Sequence, residues 1–227
     1  FLIPFLLMMA IGPKLKWIKS NLEDKIYLII LFAISILLSF LIVKNFDTNF
    51  LLNTILISSA LYLFLITLRD FFIRKNNNIS QNIAHFGFSL LIVSILFNNL
   101  FSTEIITNLK VGETFKSENT KIVFEGLNQR KEKNYQSIIG NFSIQNSKGK
   151  IENMLPELRI YNQPNIVTSE ADIKTTLISD TFIVINLVQN QDYFNVRYQV
   201  KPFMIWIWFS VVLISFGGFI SFTKKKV

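Results

Sequence analysis

The chain has 227 residues, 51% of them hydrophobic, with 23 phenylalanines, one histidine, no cysteine and a net charge of +8. An ordinary soluble domain is not this apolar, and the lack of cysteine excludes disulfides, zinc thiolate sites, iron–sulfur clusters and thiol nucleophiles within these residues. Ser102 to Val200 carries as many acidic as basic residues, so the whole excess lies outside it, mostly beside apolar runs; that placement marks membrane topology and not a nucleic-acid surface.

The opening, FLIPFLLMMAIG, reads as the end of a hydrophobic segment whose beginning is missing. No basic n-region or small-residue cleavage site precedes it, as a signal peptide requires, so the expectation is a piece of something longer. Phe1 to Ile11 is expected to close a truncated span, which Gly12-Pro13 ends. Lys14, Lys16, Lys19 and Lys25 follow, then an uncharged span from Ile26 to Val43, long enough to cross about 30 Å of hydrocarbon. A short loop, Lys44 to Asn49, leads to a third apolar segment, Phe50 to Leu68. Arg69, Asp70, Arg74 and Lys75 mark the next polar loop, and Asn82 to Phe101 is the fourth segment. A final span is expected over about Phe203 to Phe222, with Trp206 and Trp208 as interfacial anchors and Gly217-Gly218 open to another helix. It ends in Lys224, Lys225 and Lys226. The basic clusters fall on one side when the spans alternate, which by the positive-inside rule is the cytoplasmic or matrix side and leaves 102–200 outside.

Between Ser102 and Val200 the texture changes. Runs of alternating or β-branched residues at Lys121 to Leu127, Ser137 to Gln145, Glu157 to Asn162, Asp180 to Val188 and Tyr193 to Val200 read as strands. Turn residues separate them at 146–149, 162–164 and 189–192. The fold class expected is an integral membrane α-helical bundle with an inserted extracytoplasmic all-β domain, a sandwich or barrel.

His85, the only histidine, lies about one turn inside the start of its span, in AHFGF. On a helix it shares a face with Ser89 and Ile92, while Gly87 thins the adjoining side. Spacing alone leaves two readings open. One is an axial ligand to haem iron, with Gly87 giving a flat macrocycle room. The other is an interfacial histidine bonded to a neighbouring helix or reaching for water. Asp70, at a helix end, is the nearest approach to the buried charges that a transporter subunit would show. In the β region Glu157 and Arg159 project from one strand face and are candidate partner contacts, although such pairs are most often solvated ion pairs. Glu170 and Asp172 form a second acidic pair, without a third ligand for a metal.

Five stretches in order resemble the C-terminal part of the CcmF family of cytochrome c-type biogenesis proteins. They are Ile11 to Trp17 (IGPKLKW), Ala84 to Ile95 (AHFGFSLLIVSI), Met154 to Pro164 (MLPELRIYNQP), Thr168 to Ile185, and Val196 to Phe222. The resemblance implies a subunit of the haem lyase that attaches haem to apocytochrome c, in a bacterial or mitochondrial inner membrane. It implies a haem b held by two transmembrane histidines, one of them, in the AH-x-G helix, at His85. It also implies the haem chaperone CcmE and the thiol-presenting CcmH as partners, electron delivery from a quinol, and an N-terminal portion of the same protein. The family's tryptophan-rich haem-handling segment, its periplasmic histidine pair and its other haem b ligand are expected upstream of Phe1. Alone, the chain is therefore not expected to attach haem. The competing expectation is a membrane-anchored interaction module whose β domain docks partners with no redox role. The family's PE-x-R-x-Y pattern stands here as Pro156, Glu157, Arg159 and Tyr161.

Overall fold

The computed structural model describes residues 1–14, 23–46, 49–73, 79–117, 120–146, 149–188 and 191–223. Lys16, Trp17, Lys19, Arg74, Lys75 and Lys224 to Lys226 fall outside the described residues, as do 147–148 and 189–190 in two of the expected turns. The chain divides into a helical unit, Phe1–Leu100 with Phe203–Val227, and a β unit, Phe101–Pro202.

The helical unit comprises α1 (Leu2–Ile11), a 3₁₀ turn at Gly12–Lys14, α2 (Glu23–Val43), α3 (Phe50–Ile73), α4 (Ile79–Phe101) and α5 (Met204–Thr223). Four of these helices are long and apolar enough to cross a membrane, over Ile26–Val43, Phe50–Phe72, Ile79–Phe101 and Met204–Thr223. The shortest stretch, 18 residues, spans about 27 Å at 1.5 Å per residue. Helix α3 is the centre of the unit. Its Ile57, Ala60, Leu61, Tyr62, Leu63 and Ile66 are buried with Leu6 and Ala10 of α1, Val43 of α2 and Val93 of α4. Helix α2, by contrast, exposes Ile29, Leu37 and Phe40, as a lipid-facing helix does. The buried hydroxyls of Ser35, Ser39, Ser58 and Ser210 each donate to a carbonyl one turn back, so none is left unpaired among apolar neighbours.

Helices α4 and α5 pack at the distance only glycine allows. A Cβ on Gly217 would stand 2.8 Å from both the Ser80 carbonyl oxygen and the Ala84 nitrogen. One on Gly87 would stand 3.0 Å from the Ile214 nitrogen and the Leu213 Cβ. Gly217 thus admits another helix as expected from the sequence, whereas a Cβ on Gly218 would meet nothing within 4 Å.

The β unit is a sandwich. One sheet has four strands in the order β1 (Thr103–Leu109), β10 (Phe194–Pro202), β9 (Ser179–Leu187) and β8 (Asp172–Thr175). The other has the order β2 (Thr114–Lys116), β3 (Thr120–Lys131), β4 (Tyr135–Asn146), β6 (Glu157–Asn162) and β7 (Asn165–Glu170), with β5 (Ile151–Met154) beside β4. Neighbouring strands are antiparallel throughout. Alternate residues of β3, β4, β9 and β10 meet between the sheets: Ile122, Phe124, Phe142, Ile144, Ile183, Ile185, Val196 and Tyr198. The Phe124 and Phe142 rings stack with centroids 4.4 Å apart, and Phe194 meets Phe124 edge-on. Gly140 makes room for that stack, since a Cβ there would come within 2.7 Å of the Phe142 ring.

Candidate functional site

His85 sits on α4 six residues after its first residue, Ile79, and is half-buried. One turn further on, Ser89 is fully buried and its hydroxyl lies 2.6 Å from that of Thr67 on α3. Residues four apart share a helix face, so the His85 face of α4 is turned towards α3. Phe86 is placed between the rings of Phe64 and Phe71, and Phe88 meets Phe5 of α1. The stretch of α4 around the histidine is thereby packed against the later part of α3 and against α1.

The helical unit contains a buried ion pair. The Lys14 ammonium, just past α1, bonds the Asp70 carboxylate near the end of α3, with the two side chains 5% and 15% exposed. Both charges are near enough to act electrostatically on His85. The other carboxylate oxygen, Asp70 Oδ1, is buried and accepts no hydrogen bond among the described residues. Sequence reading placed Lys14 and Asp70 in separate polar loops. The available signal was an acid and a base bordering two long apolar segments, where a charge without a partner is costly.

One expectation about this site is corrected. Gly87 does not leave space for a macrocycle, because Leu213 and Ile214 of α5 fill it. Two residues along a helix turn the chain by about 200°, so Gly87 faces away from the His85 side.

The second candidate site is the outer face of the larger sheet. Arg159 of β6 bonds Glu157 at 3.1 Å, approaches Glu170 of β7 at 3.9 Å and stands 5.1 Å over the Tyr135 ring of β4. Pairing sets Tyr135 opposite Tyr161 and Ser137 opposite Arg159, and the two tyrosine rings lie 5.3 Å apart. The Arg159 hydrogen bond, with help from Ser137, holds the Glu157 carboxyl below its ordinary range, and the same bond with that of Tyr161 raises Arg159. Glu157 and Arg159 are therefore committed to each other, although their face of the sheet remains partly open. Asp172 accepts the Leu155 backbone N–H at 2.7 Å, so Glu170 and Asp172 serve different partners. Among the described residues no group of three or more His, Cys, Asp or Glu could hold a metal ion.

A set of membrane-compatible helices with a β-sandwich spliced between the last two defines a membrane protein of mixed class, whose one histidine lies in a span. Residues 100–202 match the family model described as the CcmF C-terminal β-sandwich. The cytochrome c-type biogenesis protein CcmF of Escherichia coli is 23% identical over 227 residues, covering 96% of this chain and 35% of that protein. CcmF of Haemophilus influenzae is 26% identical, covering 98% of this chain and 37% of its own length. A solved structure described as cytochrome c heme lyase CcmF has the same fold, with a TM-score of 0.72 at 16% identity over 95% of this chain and 37% of that one. Over nearly its whole length the chain is similar to CcmF, with the C-terminal β-sandwich of that family matched over residues 100–202. It spans little more than a third of these relatives.

Proposed function

We propose that this chain is the part of a haem lyase that holds a haem b in the membrane through His85, acting in cytochrome c maturation. The observation that carries the reading is the setting of the histidine in a chain matching CcmF over nearly its whole length. The imidazole is half-buried on a span and within electrostatic reach of Asp70, whose buried Oδ1 has no hydrogen-bond partner among the described residues. Those groups fit haem iron. An imidazole that binds metal through one nitrogen donates its other ring N–H to a carboxylate or carbonyl, and Asp70 Oδ1 is an acceptor within electrostatic reach. Bound there, the haem supplies one-electron chemistry, and the protein sets its potential through ligand, burial and hydrogen bonding. Of this chain's own residues, His85 would hold the iron and Asp70 would orient the ring. Lys14 neutralises Asp70, and the Ser89–Thr67 bond keeps α4 in rotational register against α3. A second histidine for the haem, as the resemblance implies, would have to come from another segment, since this chain has a single histidine.

The β unit, on the periplasmic or intermembrane side, is the docking part of this scheme. Its partners would be the haem chaperone CcmE, the thiol-presenting CcmH and apocytochrome c, with Glu157 and Arg159 on the contact face. The host membrane is a bacterial or mitochondrial inner membrane.

The test is spectral. Co-expression with the N-terminal portion is expected to give a b-type absorbance that is lost in His85→Ala, while assembly of the two portions is retained. Unchanged haem content in that variant overturns the ligand assignment and leaves the scaffold reading. A Gly112 to Asp192 deletion that keeps the absorbance and still captures CcmE and CcmH overturns the docking role.

A further inference from the structure

The turn between β8 and β9 presents two consecutive apolar side chains to the outside. Leu177 is 71% and Ile178 72% exposed, more than any other large apolar residue described in the β unit. Exposed side by side, such residues call for an explanation. Strand register supplies the place. Ser179, the first residue of β9, pairs with Pro202, the last of β10, and α5 begins two residues later at Met204. Beside β10, β1 starts at Thr103 opposite Val200, directly after α4. The Leu177-Ile178 tip is thus at the end of the four-stranded sheet where two strands run on into membrane spans.

The backbone of the tip is prepared for a medium without water. The Thr176 hydroxyl donates to the Ser179 carbonyl at 2.8 Å and accepts the N–H groups of Ile178 and Ser179 at 3.3 and 3.0 Å. That uses its one proton and both lone pairs. The Thr176 N–H donates to the same Ser179 carbonyl at 3.0 Å. Unpaired backbone groups are the chief cost of placing a turn in lipid, and here the turn's own side chain takes up the N–H groups of Ile178 and Ser179. Lys174 on β8 and Lys201 on β10 lie within two register positions of this end, in reach of anionic headgroups.

We propose that Leu177 and Ile178 form an apolar finger inserted in the interfacial layer of the lipid bilayer. It is a third attachment of the sandwich beside its two covalent ones. Two apolar residues buried about 5–10 Å into the headgroup and acyl boundary are enough to fix the tip without spanning. The inference rests on the spans and the register alone, and holds whether or not His85 binds haem.

The absence of cysteine makes the test direct. An Ile178→Cys variant carrying an environment-sensitive nitrobenzoxadiazole label is reconstituted in vesicles of phosphatidylcholine and phosphatidylglycerol, with and without doxyl-labelled lipid. Leu187→Cys, at the far end of β9, nine residues on from Ile178 and so about 30 Å away, is the control. The label at 178 is expected to be blue-shifted, protected from iodide, and quenched by doxyl lipid at least about threefold more than the label at 187. Equal iodide quenching at both positions overturns the proposal. So does a label at 178 shielded from iodide and doxyl lipid alike, since it would then rest against protein.

Discussion

Breaking the Lys14–Asp70 pair one side at a time, and then on both sides, separates a structural ion pair from one that serves His85. The side chains are 5% and 15% exposed, so the pair belongs to the buried class and not to the surface class worth about 0–1 kcal/mol. At contact distance, near 3 Å, and an effective dielectric of about 20, the attraction is roughly 5 kcal/mol, much of it offset by desolvation. Removing one partner strands the other, and Lys14→Met or Asp70→Leu is each expected to cost about 3 kcal/mol, a shift of more than a hundredfold in the unfolding equilibrium. The double variant has two apolar side chains of suitable size in contact and is expected to recover most of that loss. With about 1 kcal/mol left in the double variant against two single losses of about 3 kcal/mol, the cycle would then give a coupling of about 5 kcal/mol. Stability is read by titrating the reconstituted chain from mild detergent into dodecyl sulfate while following the fluorescence of its three tryptophans. Single variants that each cost less than about 1 kcal/mol and add without coupling would refute the buried-pair argument. Haem content of the co-expressed assembly is the second readout. If Asp70 orients the imidazole, the double variant regains stability but its b-type spectrum stays altered.

The α4–α5 contact gives a sharp positional contrast. Gly217→Val must drive a side chain into the backbone of Ser80 and Ala84 and is expected to cost about 1–3 kcal/mol or to separate the helices, whereas Gly218→Val, in open space, is expected to be neutral in the same titration. On the sandwich, Glu157 has a carboxyl held below its ordinary range by Arg159, so it contributes stability above the unfolded value near 4.3 and loses it as pH falls through the folded value. Glu157→Gln is therefore expected to speed amide exchange in β6 and β7 relative to the parent chain at pH 7. That difference should shrink as pH falls below about 4.3 and be gone once the folded carboxyl is protonated, and an equal difference at neutral and at strongly acid pH would refute the sign.

The strands legible in the sequence and those that were not divide by position in the sheet. Every run that alternates well enough to be read corresponds to an interior strand: β3, β4, β6, β9 or β10. The strands without a signal, β1, β2, β7 and β8, are the four sheet edges, and β5 pairs with β4 alone. Edge strands bury less of either face; β8 has no buried residue and β7 none either. Composition there answers to solvent, and periodicity fades. Spans behave oppositely, since lipid demands an apolar surface all round and the signal is unbroken. The polar boundaries misled for a related reason. Helix α3 runs on to Ile73 through Arg69 and Asp70, and α4 begins already at Ile79, because these polar residues find partners in the bundle. Arg69 lies 3.8 Å over the Tyr27 ring of α2, and Asp70 holds Lys14.

Those two contacts change what the basic residues mean. Read along the chain, Lys14 and Arg69 count towards the cation bias that orients the spans. In the fold Lys14 is 95% covered and its charge is met by Asp70, while Arg69 is engaged with an aromatic face. A cation neutralised inside the bundle contributes little to a bias that acts through charges held at the membrane surface. The orientation proposed for the chain therefore rests on the other cations of that side, from Lys16 to Lys25, at Arg74 and Lys75, and at Lys224 to Lys226. The same reasoning separates two kinds of conservative change. Lys14→Gln should disturb packing around Asp70 without reversing the topology, whereas neutralising the remaining cations should disturb topology and leave the Asp70 pair intact.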